Sequence, residues 1–69
     1  MIKSHWFTNS TMLTKAEYNI ETKQMDVTFS SGKEYHYVDV DPLVFINLSE
    51  ALSAGTYFNI IKHDLVVKK

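Results

Sequence analysis

Apolar and polar residues alternate along two stretches of the chain, and each alternation predicts a strand. The cleaner one is residues 24–30, in which every second residue is apolar: Met25, Val27 and Phe29. Residues 12–20 show a looser spacing of the same kind, through Ala16 and Tyr18. Because side chains two apart share a face of a strand, each stretch should bury one face and expose the other.

A third strand is predicted between residues 32 and 42, with apolar groups on both faces. Tyr35 and Tyr37 point to one face, and Val38 and Val40 to the other. A strand of this kind is either covered on both sides or offers one side to a partner. The sequence leaves that choice open.

The turns between these strands differ in their chemistry. Gly32 predicts a tight hairpin before the third strand. The earlier turn begins at Asn19 and has no glycine, so Lys23 is predicted to take a left-handed conformation.

One amphipathic helix is predicted to follow the strands. Asp41 can cap it and Pro42 suits its first position. Its end is predicted near Ser53 or Ala54, with Gly55 as a left-handed C-cap. The apolar stripe that would lie on the sheet recurs at intervals of three and four residues: Val44, Phe45, Leu48, Ala51 and Leu52. Leu43 and Ile46 lie off the centre of this stripe, either as the flanks of a wide buried face or as an exposed apolar patch. Beyond it we expect a helical turn over residues 57–62 and an extended segment over residues 65–67.

These elements predict a single α+β domain over residues 11–69, preceded by a lead-in over residues 1–10. The fold would be a three-stranded antiparallel meander with one amphipathic helix packed across it and a short C-terminal segment closing the edge. A chain of 69 residues has room for one modest core.

Charge and composition narrow the classes of function. Seven basic residues against eight acidic give a net charge of -1, and every basic residue is lysine. Nucleic-acid surfaces are usually basic and use arginine, so this composition argues against strong RNA or DNA binding. The chain has no cysteine and no apolar run long enough to cross a bilayer, so we expect a soluble cytoplasmic protein.

No pattern of residues indicates catalysis, a metal or a cofactor. His5, His36 and His63 lack the helical spacing of a zinc motif. No nucleophile accompanies a base, and no glycine-rich phosphate loop is present. The sequence therefore predicts a protein that is not an enzyme and that holds no cofactor.

Two spaced groups of residues resemble the KTSC domain, a family named for the C-terminus of some lysyl-tRNA synthetases and found also as small bacterial and phage proteins. The resemblance covers residues 11–62. The residues that carry it are Tyr18, Met25, Asp26, Val27, Thr28, Phe29, Ser31, Gly32, Lys33, Tyr35, Tyr37, Val40, Ser53, Gly55, Tyr57, Phe58 and Asn59. By association with the synthetase, the resemblance implies RNA or tRNA binding. The arginine- and tyrosine-rich tail of many members is replaced here by residues 60–67, which contain no arginine.

Our leading hypothesis is a small interaction module that binds a protein, as a phage-type or bacterial accessory factor acting on host machinery. RNA or tRNA binding is the alternative, and the chain could be a monomer or a homodimer. The expected partner-binding residues are aromatic or apolar: Trp6, Phe7, Tyr35, Tyr37, Leu43 and Ile46. The residues with an expected structural role are Gly32, Asp41, Pro42, Gly55, Tyr57, Phe58 and Asn59.

Overall fold

A five-stranded antiparallel sheet carries two helices on one of its faces in the computed structural model of the chain. The strands are β1 Ile2–Trp6, β2 Leu13–Asn19, β3 Gln24–Phe29, β4 Glu34–Val38 and β5 Val66–Val67, and the helices are α1 Pro42–Glu50 and α2 Ala54–Ile61. A 3-10 turn, Lys62–Asp64, links α2 to β5. The structure describes residues 1–8 and 10–68, so Asn9 of the predicted lead-in and Lys69 at the end of the predicted domain lie outside it.

The prediction of three strands is wrong, because the sheet has a further strand at each edge. The predicted meander corresponds to β2, β3 and β4, which pair in chain order. β1 lies inside the predicted lead-in and pairs with β2, while β5 pairs with β4. A strand at the edge of a sheet is less covered on both faces. Apolar and polar residues therefore alternate less clearly in its sequence than in that of a central strand.

The prediction of one helix is also wrong. Asp41 caps α1 as expected, since its carboxylate accepts a hydrogen bond of 2.9 Å from the N–H of Leu43. However, α1 ends at Glu50, and Ala51 is extended with φ -66° and ψ 138°. Gly55 is not a left-handed C-cap, because it lies inside α2. The break in the helix turns the chain back over the sheet, which buries Ala54 and Phe58.

The core lies between the sheet and the two helices. The fully or nearly buried residues come from β2, β3, β4, both helices and the segment between β4 and α1: Leu13, Ala16, Tyr18, Met25, Val27, Tyr37, Val40, Phe45, Leu48, Ala54 and Phe58. The hydroxyl of Tyr18 donates a hydrogen bond of 2.6 Å to the carbonyl of Val40 inside this core. The rings of Tyr18 and Phe45 stack with their centroids 5.5 Å apart, which fixes α1 over β2.

Both predicted turn conformations are confirmed. Gly32 has φ 93°, and its N–H donates to the carbonyl of Phe29 to close the β3–β4 hairpin. Lys23 has φ 60° in the β2–β3 turn. The side-chain oxygen of Asn19 holds that turn by accepting hydrogen bonds from the N–H groups of Glu21 and Thr22.

Replacing Lys23 with glycine should therefore stabilise the domain. Relief of the left-handed conformation is worth about 1 kcal/mol, and the hydrogen bonds of Lys23 to Asn19 and Val40 are kept because they involve its backbone. We expect a higher melting temperature by calorimetry. The matched control is Lys33→Gly in the next turn, where φ is not positive and the added flexibility should lower stability. A melting temperature for Lys23→Gly at or below that of the parent chain would contradict the prediction.

Candidate interaction surface

The two faces of the sheet differ in what they could bind. The register places Tyr18 opposite Met25 and Met25 opposite Tyr37, so this row lies beneath the helices. On the other face, which we call the open face, a second row crosses the strands: Ser4, Glu17, Asp26 and His36. This row of the open face is polar and carries both signs of charge, whereas Ile2 and Trp6 at the β1 edge of the same face are apolar and exposed.

Tyr35 and Tyr37 lie on the helix-bearing face. The ring of Tyr37 is buried and meets Phe58 of α2 at a centroid distance of 6.0 Å. Burial, with a smaller contribution from Tyr35, raises the pKa of the Tyr37 phenol above its ordinary value. Tyr35 lies at the rim of the same cluster, 5.1 Å from the ring of Phe29, and is partly exposed. Tyr37 is therefore a core residue, and of these two tyrosines only Tyr35 is exposed enough to contact a partner.

Asp26 and His36 form the shortest side-chain contact of the open face. The Oδ1 atom of Asp26 lies 2.7 Å from Nδ1 of His36, and Gln24 donates to the same oxygen. Partial burial raises the pKa of Asp26, but the hydrogen bonds from Gln24 and His36 and the nearby charges of His36 and Lys68 outweigh it and leave the pKa lowered. The pair is half exposed and joins residues that face each other on β3 and β4, so its geometry suits a cross-strand contact.

An exposed apolar surface borders the start of α1. Leu43 is 61% exposed, Ile46 45% and Ile20, just after β2, 42%. Leu43 and Ile46 are the residues that the sequence placed off the buried stripe, and we call them with Ile20 the α1 patch. Ile46 and Ile20 line an open groove of about 100 Å³ whose remaining lining residues are Lys3, Tyr18, Pro42 and Phe45. Three neighbouring large side chains in water favour a contact with another molecule.

Trp6 and Phe7 separate at the end of β1. Phe7 packs against the core, and its ring lies 4.8 Å from that of His5. Trp6 is 62% exposed on the open face, with the Nζ atom of Lys15 5.1 Å from its ring centroid. The two neighbouring aromatics thus have different surroundings, because successive side chains of a strand point to opposite faces.

The residues of the resemblance around α2 divide between core and surface. Phe58 is buried, Tyr57 packs partly against the core, and Asn59 is exposed. Asn59 lines a polar groove of about 280 Å³ together with residues of the loop before β2 and the start of α2: Ser10, Thr11, Met12, Ser53, Gly55 and Thr56. A Cβ at Gly55 would lie 3.4 Å from that of Met12, so glycine allows α2 to approach the loop closely.

Sequence reasoning missed part of this surface. Ile20 was expected on the buried side of its strand, but β2 ends at Asn19 and leaves Ile20 exposed beside α1. Ile2 is also exposed and was not singled out, and Leu52 is exposed although it was predicted to belong to the buried stripe. The signal for Leu52 was the adjacent Ser53, a residue that often precedes a new helix.

A metal site and a membrane-spanning helix are two other features that would point to a function. Within residues 1–8 and 10–68, no three histidine, aspartate or glutamate side chains gather in a way that could hold a metal ion. In the same part of the chain, no helix has the length and apolar character that crossing a membrane requires.

Fold and surface together define a small α+β domain with a helix-covered sheet and an exposed apolar patch. The KTSC domain model matches residues 9–63, and the chain belongs to this family. The structure is similar to the crystal structure of a KTSC domain protein from Yersinia pestis, with a TM-score of 0.86 and 20% sequence identity, covering 100% of this chain and 97% of that one. At that identity, the likeness shows the fold alone. No curated protein matches the chain.

Proposed function

We propose that this chain is a non-enzymatic module that binds a protein partner through the α1 patch. The observation that carries the proposal is the exposure of Leu43, Ile46 and Ile20, of which Ile46 and Ile20 line one apolar groove. Leu43 and Ile46 belong to one helix that the Asp41 cap and the buried Phe45 and Leu48 hold in place. A rigid helix presenting apolar anchors loses little conformational entropy on binding.

The open face favours a protein over RNA. Sheet-based RNA binders stack bases on exposed aromatic rings and follow the phosphates with cations. Here the two tyrosines of β4 are on the helix-bearing face, and the open face carries Glu17, Asp26 and Glu34 beside Lys15. An electropositive track for phosphates is not supported by these charges. We propose a cytoplasmic partner, since a chain without cysteine suits a reducing compartment.

Removing the apolar side chains of the patch should abolish partner capture. We expect the double variant Leu43→Ser/Ile46→Ser to recover at least about tenfold less partner than the parent chain, because buried apolar anchors dominate such interfaces. The measurement is a pull-down of tagged protein from a bacterial lysate, with and without nuclease, read by quantitative mass spectrometry. Circular dichroism would verify that both chains are folded.

Leu52→Ser is the control, because it removes an apolar side chain that is 97% exposed and lies outside the α1 patch and its groove. It should leave capture unchanged. Equal capture by the double variant and the parent would contradict the proposed surface. Loss of all captured proteins after nuclease treatment would replace the protein partner with RNA.

A further inference from the structure

The strand β1 has a free edge whose backbone groups are set to pair with another strand. Phe7 donates its N–H to the carbonyl of Thr14, and the carbonyl of Met1 accepts from Ile20. Residues 1, 3, 5 and 7 therefore turn their backbone groups toward β2, because these groups alternate along a strand. The N–H and C=O groups of Ile2, Ser4 and Trp6 consequently point outward.

The outer edge of β1 lacks the features that usually prevent pairing. Edge strands are commonly protected by short length, by proline or by charged side chains. The opposite edge, β5, has only two residues, Val66–Val67. β1 has five, none of them proline, and its outward-pointing residues Ile2, Ser4 and Trp6 carry no charge.

The sequence of β1 is complementary to itself. If two copies pair antiparallel about a two-fold axis at Ser4, then Ser4 faces its equivalent and Ile2 faces Trp6 of the second copy. In that register Ile2, Ser4 and Trp6 all form hydrogen-bonded pairs with the second copy. This matches the outward direction of their N–H and C=O groups. Ile2 and Trp6 are 60% and 62% exposed and lie on the same open face, so each ring would cover an isoleucine of the other copy.

We propose that the chain forms a homodimer in which the two β1 strands pair antiparallel and join the sheets into one. The interface is centred on Ser4, and the contacts of Trp6 with Ile2 cover apolar surface on both sides of the axis. Two edges of five residues make a small interface, below the roughly 1,200 Å² at the lower end of standard interfaces, so we expect a weak dimer that dissociates on dilution.

The charges of the open face tolerate this arrangement. Glu17 lies on β2, opposite Ser4 of β1. Across the dimer the strands would run in the order β2, β1, β1, β2, so the two copies of Glu17 would be separated by three strand spacings. That separation is about 14 Å, beyond the roughly 8 Å screening length at physiological salt. Because the axis is perpendicular to the sheet, both α1 patches would face the same side, and the dimer would present two copies of the proposed protein-binding surface.

A single cysteine at the axis tests the pairing directly, since the chain has no other cysteine. In a hydrogen-bonded pair the two Ser4 Cα atoms would be about 5.5 Å apart, within the range of a disulfide. On mild oxidation we expect Ser4→Cys to form a covalent dimer at least about tenfold faster than Ser31→Cys, which is also at an exposed position, in the β3–β4 hairpin. Equal rates for the two variants would overturn the proposal.

Sedimentation of the unmodified chain over a range of concentrations provides the second test. We expect its mass to rise toward twice that of one chain, and Ser4→Pro to weaken association at least tenfold because it removes the outward N–H in both copies. Ser4→Thr, which keeps this N–H, should associate like the parent. A parent chain that stays monomeric at millimolar concentration would overturn the dimer, and association unaffected by Ser4→Pro would overturn its location at β1.

Discussion

Replacing Phe58 with alanine is expected to lower the free energy of unfolding by about 3–5 kcal/mol, which is most of the stability that a domain of this size can have. Phe58 is fully buried, and its ring meets those of Phe29 and Tyr37 at centroid distances of 5.5 and 6.0 Å. Removing it would leave a cavity between α2 and two strands. Denaturant unfolding followed by circular dichroism would measure the loss.

Ile60→Ala is the matched control for Phe58→Ala. Ile60 lies on the same helix and is largely exposed, so its truncation should change the free energy of unfolding by less than about 0.5 kcal/mol. Comparable losses for the two variants would show that burial of Phe58 does not hold α2 on the sheet.

Phe58 is one of the residues by which the family is recognised. A large loss of stability in Phe58→Ala would show that Phe58, the middle residue of Tyr57-Phe58-Asn59, has a role in the core, as the sequence suggested. Asn59 differs, since it is exposed at the polar groove beside Ser10 and Thr56. Resemblance in this segment therefore identifies the fold more directly than any binding activity.

The central part of the fold could be predicted because each of its elements has a local physical signal. Alternation identified β2 and β3, Gly32 the tight hairpin, and the Asp41–Pro42 pair the start of α1. These signals depend on residues close together in the chain. Even the strained conformation of Lys23 followed from a turn that lacks glycine.

The edge strands and the second helix could not be predicted in the same way. β1 mixes polar and apolar residues because neither face is fully covered, and β5 is too short to show a period. The apolar stripe of α1 also continues through Leu52, which the structure leaves in water. The burial of Ala54 and Phe58, which is a tertiary effect, decides between one long helix and two short ones.

The candidate site was predicted in part. The position of Leu43 and Ile46 off the buried stripe left two alternatives, and the structure exposes both residues. Tyr37 could not be assigned from sequence, because its strand has apolar groups on both faces and only the position of α2 decides which face is covered. Pairing of β1 required knowing which of its backbone groups face β2.

Tyr18→Phe is expected to lower the free energy of unfolding by about 1–3 kcal/mol at neutral pH, because the buried carbonyl of Val40 loses the hydroxyl that donates to it. The ring itself, and its stacking on Phe45, would remain. Tyr35→Phe is the matched control, since that side chain lies partly exposed at the rim of the sheet and its change should be small. Chemical denaturation of the three chains would measure both effects.

The difference between the parent chain and Tyr18→Phe should also depend on pH. Burial, and secondly the negative charge of Asp41, raise the pKa of Tyr18 above its ordinary value of 10.0, so the folded state favours the neutral phenol. Its stabilising contribution is complete below about pH 10 and is lost as the pH rises through the raised pKa. The stability gap should therefore narrow in alkali. Asp41→Asn keeps a helix cap but removes the charge, which should reduce the alkaline loss in the Tyr18 parent. If the difference in stability between the parent and Tyr18→Phe stays constant from neutral pH into alkali, then folding does not raise the pKa of Tyr18.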